Sequence, residues 1–119
     1  MTPVRPRRNP EIVWRLEKGM HDLAWDRARK GEEYEDLGVL TLMVNEAIHL
    51  LNLVGAEIWT RINGINTVEK IAAQIAPLFH ADPGEMHADV ERFLKEIEEK
   101  GWVTLSEGSD RSAPGWTEQ

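Results

Sequence analysis

Residues 38–52 read G-V-L-T-L-M-V-N-E-A-I-H-L-L-N, two short apolar runs parted by Asn45-Glu46. Val39 to Val44 is bounded by Gly38 and by that polar pair, and Ala47 to Leu51 follows it. Two such runs across a two-residue polar turn form a β-hairpin signal, although Asn-Glu is a weaker turn than Asn-Gly. The competing reading is one long helix from Leu40 to Ile62, because Leu42, Met43, Glu46, Ala47 and Leu50 are all good helix formers. The β-branched and turn residues favour the hairpin, and short apolar runs do not decide the matter alone.

Downstream the helix signals are clearer. Asn52 offers a side-chain oxygen to a free N–H of a first helical turn. Val54, Ile58 and Ile62 then recur every four residues, with Trp59 beside them, until Asn63-Gly64 stops the helix. A second helix starts at Asn66 or Thr67, buries Val68, Ile71, Ile75 and Leu78, and loses regular bonding near Pro77. The third has Asp82 as cap, Pro83 in its first turn and Glu85 three residues after the cap. Met86, Val90, Phe93, Leu94 and Ile97 form its core stripe, Gly101 ends it, and Trp102-Val103 returns to the core.

Upstream, Ile12, Trp14 and Leu16 alternate with Val13, Arg15 and Glu17 over Glu11 to Lys18, a strand with one buried face that Gly19 ends. Residues 19–37 read as a long charged loop, tacked down by Trp25 or Tyr34. Residues 1–10 hold Pro3, Pro6 and Pro10 without periodicity and read as a flexible basic arm. From Ser106 to Gln119, serine, glycine, proline and charge predict a disordered tail. The chain of 119 residues is one domain's worth, with the domain expected over 11–105.

Composition narrows function mainly by exclusion. Without cysteine there is no disulfide, thiol nucleophile or cysteine zinc site. Serine occurs only at Ser106, Ser109 and Ser112, so a serine nucleophile beside a histidine base is not expected. His21, His49, His80 and His87 include no i, i+4 pair; His80 and His87 flank the third helix's start, where capping or surface roles are the ordinary reading. Neither a glycine-rich phosphate loop nor an apolar signal or membrane span is present. No catalytic residue, metal or cofactor is expected, and a cytoplasmic location is the default. A net charge of −7 disfavours duplex nucleic acid as a partner, since phosphate neutralisation needs clustered lysine and arginine. Arg5, Arg7, Arg8 and the Arg27, Arg29, Lys30 cluster are read as solvated surface.

Taken in order, Leu51-Asn52, Gly55-Ala56-Glu57-Ile58-Trp59, Asn63-Gly64, Thr67-Val68, Ile71, Asp89-Val90, Phe93-Leu94 and Gly101-Trp102-Val103 resemble the PqqD family. No single element is specific, but their order and spacing are, and the likeness strengthens the hairpin. Asn45-Glu46 falls where that family has a Pro-Glu turn, and residues 19–37 are longer and more charged than the family leads one to expect. The resemblance implies an α+β, winged-helix-like fold with a three-stranded antiparallel sheet followed by three helices. It further implies a non-catalytic recognition element that holds the leader of a ribosomally made precursor peptide. Such an element presents the leader to a radical SAM or other peptide-modifying enzyme, in the type case on the route to pyrroloquinoline quinone.

Strand addition is the natural way for such a module to hold an extended peptide. Ala47, Ile48, His49, Leu50 and Leu51 would supply the open edge, and Asp89, Arg92, Phe93, Glu96 and Lys100 of the third helix the other wall of a groove. Alternation separates Ala47, His49 and Leu51 from Ile48 and Leu50. Charges such as Arg92, Glu96 and Lys100 fit i, i+4 surface pairs equally well. The competing functions are a winged-helix DNA-binding regulator and an assembly subunit that binds only the modifying enzyme. The oligomeric state, monomer or homodimer, stays open.

Overall fold

The computed structural model describes residues 3–107, which fall into two compact units: residues 10–59, and residues 60–107 together with 3–9. In place of three strands and three helices, the described residues hold five strands in two antiparallel sheets and four α-helices.

In residues 10–59, β2 (Val13–Leu16), β3 (Leu40–Val44) and β4 (Ala47–Leu51) form a sheet in the order β2-β3-β4. The hairpin prevails over the long helix. Val44 pairs with Ala47 across Asn45 (φ 51°) and Glu46 (φ 69°), the two positive φ angles of a type I′ turn. The Val39 N–H donates to the Leu51 carbonyl at 2.8 Å and prolongs the ladder past Leu40. On the covered face Trp14, Leu42 and His49 make one cross-strand row, Leu16, Leu40 and Leu51 run parallel to it, and Leu40 and Leu42 are fully buried. Asn52 accepts the Gly55 N–H at 3.0 Å, the expected cap, and α2 (Leu53–Trp59) buries Leu53, Ala56, Ile58 and Trp59. Trp14 meets Trp59 edge to face, ring centres 6.3 Å apart.

The charged segment after β2 differs from the expected loop. Lys18–Arg29 is a helix, α1, with Gly19 in its first turn rather than ending a strand. It has no side-chain cap, so its start carries no cap signal. Its coherence comes from i, i+4 stripes: Ala24 is fully buried, Met20 and Ala28 are half-buried one turn either side, and Lys18–Asp22 and Lys30–Asp26 pair on the exposed side.

In the other unit, β1 (Val4–Arg8) pairs antiparallel with β5 (Val103–Glu107), from Val4 opposite Glu107 to Arg8 opposite Val103. The arm expected to be flexible is therefore an ordered strand. Its polar groups find partners over long sequence distances: the Pro6 carbonyl accepts from the Gly64 N–H at 2.9 Å, and the Asn9 N–H donates to the Trp102 carbonyl at 2.9 Å. Residue 106, expected to open a disordered tail, belongs to β5, and the rest of that expected tail, from Gly108, lies outside the described residues.

Thr67, not Asn66, caps α3 (Val68–Ile75), accepting the Lys70 N–H at 3.0 Å, while the Asn66 amide donates to the Arg61 carbonyl. Pro77 ends regular bonding as expected, in a 3-10 turn over Pro77–Phe79; the exposed Leu78 lies in that turn and not on the buried face of α3. Asp82 accepts the Glu85 N–H at 3.1 Å and starts α4 (Pro83–Glu99), whose Met86, Val90, Leu94 and Ile97 are buried. Gly101 (φ 80°) takes the left-handed conformation that lets the chain turn from α4 into β5.

Candidate functional site

Hairpin geometry fixes which backbone groups of β4 are committed. A two-residue turn closes on a hydrogen-bonded pair, here Val44–Ala47, and bonded pairs then alternate along an antiparallel ladder. Ala47, His49 and Leu51 thus direct their N–H and C=O towards β3, and Ile48 and Leu50 direct theirs to the other edge. No strand among the described residues pairs there. The side chains of those same two residues stand in solvent, Ile48 at 63% and Leu50 at 62% exposure. An edge with free donors, free acceptors and exposed apolar side chains is a template for an added strand.

The expected split of β4 is observed. His49 is half-buried and Leu51 buried, while Ala47, at the turn, is exposed despite sharing their face. Ile48 and Leu50 share the outer face with Met43 and Val13, and Val13, Met43 and Ile48 form one row across all three strands. Antiparallel sheets with one open face ordinarily turn polar side chains outward. Here the polar members are Arg15 and Thr41, both near Glu17: the Thr41 hydroxyl donates to the Glu17 carboxylate at 2.9 Å and Arg15 to the same oxygen at 3.1 Å. Those bonds, Thr41's first, hold the Glu17 carboxyl below its ordinary range.

The predicted helix residues belong to the second unit. Asp89, Arg92, Glu96 and Lys100 are exposed and Phe93 is half-buried. Arg92 pairs with Asp89 one turn back, so the expected i, i+4 partner Glu96 is not its ion-pair partner. Lys100 lies over the Trp102 ring, 5.7 Å from its centre. A neighbouring face of α4 lines an open cleft of about 290 Å³ with Val4, Val68, Glu91, Leu94, Lys95, Glu98 and Leu105. Sequence reading missed this cleft because β1 and β5 form one wall of it, and their pairing leaves no local signal.

A second unforeseen feature ties α1 to α2. Glu57, 8% exposed, holds one carboxylate oxygen 2.8 Å from His21 Nε2 and accepts from Trp25 Nε1 at 3.1 Å. The i, i+4 spacing of His21 and Trp25 was the available clue. His87 lies 3.5 Å from Glu69 and 3.8 Å from Glu91, and does not meet His80 in a metal site. Among the described residues no three histidine, aspartate or glutamate side chains are grouped to hold a metal ion, and no helix is long and apolar enough to cross a membrane.

The family model for coenzyme PQQ synthesis protein D (PqqD) matches residues 39–103, more than half of the chain. The chain belongs to the PqqD family. The match begins at the hairpin and ends with Trp102-Val103; α1 and β1 lie outside it. Among solved structures, the chain resembles the solution structure of the PqqD truncation of Methylobacterium extorquens PqqCD, with a TM-score of 0.57 and 20% identity, over 85% of this chain and 88% of that one. That protein is described as a functional, stand-alone recognition element for ribosomally synthesised and post-translationally modified peptides. At this identity the likeness speaks for a PqqD-like fold. No curated protein sequence matches the chain.

Proposed function

We propose that the protein is a non-catalytic recognition element that binds the leader of a ribosomal precursor peptide by strand addition to β4 and presents it to a modifying enzyme, of the radical SAM class. The observation that carries this reading is the open edge at Ile48 and Leu50, within the segment the PqqD model matches. Main-chain bonds to that edge give affinity for any extended segment, and side-chain contacts on either face of the added strand give selectivity. Asp89, Arg92, Phe93, Glu96 and Lys100 of α4 are proposed as further peptide contacts. Acidic surface opposes the DNA-binding alternative: α4 and its C-cap carry six carboxylates from Glu85 to Glu99 against Arg92, Lys95 and Lys100.

The test is a titration of the isotopically labelled protein with synthetic peptides covering the short open reading frames near its gene, taken as candidate precursors, followed by amide NMR. The largest shifts are expected at Ala47–Leu51, with a second set on α4. Shifts confined to Val4–Arg8, or no shift, refute the proposal. Co-purification of the protein with a neighbouring radical SAM enzyme tests the presentation step.

A further inference from the structure

We infer that the segment captured on β4 carries two bulky apolar side chains two residues apart, flanked by lysine or arginine; this rests on the strand-addition reading above. The spacing follows from register. A strand added to β4 forms its hydrogen-bonded pairs with Ile48 and Leu50, so the two residues opposite them are two apart and share the outer face. Their nearest neighbours are then Ile48 and Leu50, with Met43 beyond Ile48. Leu50 lies against Gly38, where a Cβ would come within 2.9 Å of its Cδ1 and 3.1 Å of its Cβ. An apolar residue three positions away would project from the opposite face and miss this row.

The flanking charge follows from what stands at the two ends of β4. Glu46 is exposed at the turn. At the far end the Asn52 side-chain amide donates to the Glu35 carbonyl at 3.2 Å, which brings the exposed Glu32, Glu33, Glu35 and Asp36 segment beside Leu51. Residues 10–59 carry ten carboxylates against five lysines and arginines. A second copy of this chain is a poor occupant, because antiparallel pairing of two β4 edges sets Glu46 of each copy towards the acidic segment of the other.

The probes are three synthetic nine-residue peptides in a threonine and serine background. The first has isoleucine and leucine two apart with lysine at each end; the second has the same composition with the pair three apart; the third has the first spacing with glutamate ends. Titrated into the labelled full chain at low salt, the first is expected to bind about twofold to fivefold more tightly than the second, as one lost apolar cross-strand pair predicts. It also outcompetes the third, by a margin that shrinks as salt is raised. The Ile48→Thr, Leu50→Thr double variant, with its fold checked by amide dispersion, loses the spacing preference, and Ile48→Val, Leu50→Val keeps it. Equal affinities with shifts on Ala47–Leu51 overturn the inference and leave strand addition standing. So do shifts with the natural precursor but with none of the three peptides. No shift on Ala47–Leu51 with any peptide, the precursor included, overturns both.

Discussion

Replacing Glu57 by alanine is expected to undock α1 and to destabilise residues 10–59 by about 2–4 kcal/mol. The carboxylate lies almost out of solvent, with His21 Nε2 at 2.8 Å and Trp25 Nε1 at 3.1 Å on one oxygen. As an ionised carboxylate Glu57 only accepts, which assigns the hydrogen to Trp25 Nε1 and, in its Nε2–H tautomer, to His21. Each hydrogen bond to a charged group contributes roughly 1.5–3 kcal/mol, and this charge forfeits part of that by leaving water. Truncation also leaves the indole N–H of a half-buried tryptophan without this acceptor, at a further cost of about 1–3 kcal/mol unless the helix moves away. With a urea dependence of about 1–2 kcal/mol/M for a chain of this size, the unfolding midpoint falls by roughly 1–4 M. Glu57→Gln keeps an acceptor and loses the charge, and is expected to cost about half as much. Urea unfolding followed by far-UV circular dichroism gives the stability, and amide exchange over Lys18–Arg29 against Leu53–Trp59 locates the change. A midpoint shift below 0.3 M, or exchange that rises equally in both helices, would refute the assignment of Glu57 as the tie between them.

Two further outcomes follow from local geometry. Glu46 holds a left-handed φ of 69°, which costs an ordinary residue about 1 kcal/mol relative to glycine, so Glu46→Gly should stabilise the hairpin by about that amount in urea unfolding. An unchanged or lowered midpoint would contradict the type I′ turn. The Glu17 carboxyl is held down by the Thr41 hydroxyl and Arg15, so its contribution is complete above the ordinary carboxylate range and is lost as pH falls through the depressed folded value. Carboxyl-carbon NMR should place its midpoint below that of a free glutamate, and Thr41→Val should raise it; a midpoint unmoved by Thr41→Val would remove Thr41 as the cause.

What the sequence made legible is local. Asn52, Asp82 and Gly101 act within four residues of themselves, so caps and stops are readable from composition alone, and the buried stripe of α4 follows from a single period. The hairpin was legible only as the better of two readings, because Asn-Glu is an unusual pair to hold two positive φ angles. What was missed depends on distant partners. The 4–8 strand carries three arginines around Pro6 and no alternation, and its order comes from residues 64 and 102–107. For α1, a glycine at the second position and a surfeit of charge conceal a narrow stripe that is meaningful only once Glu57 is beside it. The outward pair Ile48 and Leu50 was visible as an excess of apolar residues on both faces of one strand, yet which face stays open is a fact of packing.

The pairing of β1 with β5 bears on how the molecule is made. Val4 meets Glu107, so the contact spans roughly 100 residues, and ring closure over that length forms slowly against chain entropy. On a ribosome β1 emerges well before its partner β5, with β2, β3, β4 and all four helices translated between them. Until β5 has emerged, β1 lacks its ladder partner, while β2, β3 and β4 can already pair with one another. Clipping residues 3–9 to tidy an expression clone would strip β5 of its ladder, and a bulky fusion placed ahead of β1 would have to be drawn in with it when β1 pairs with β5.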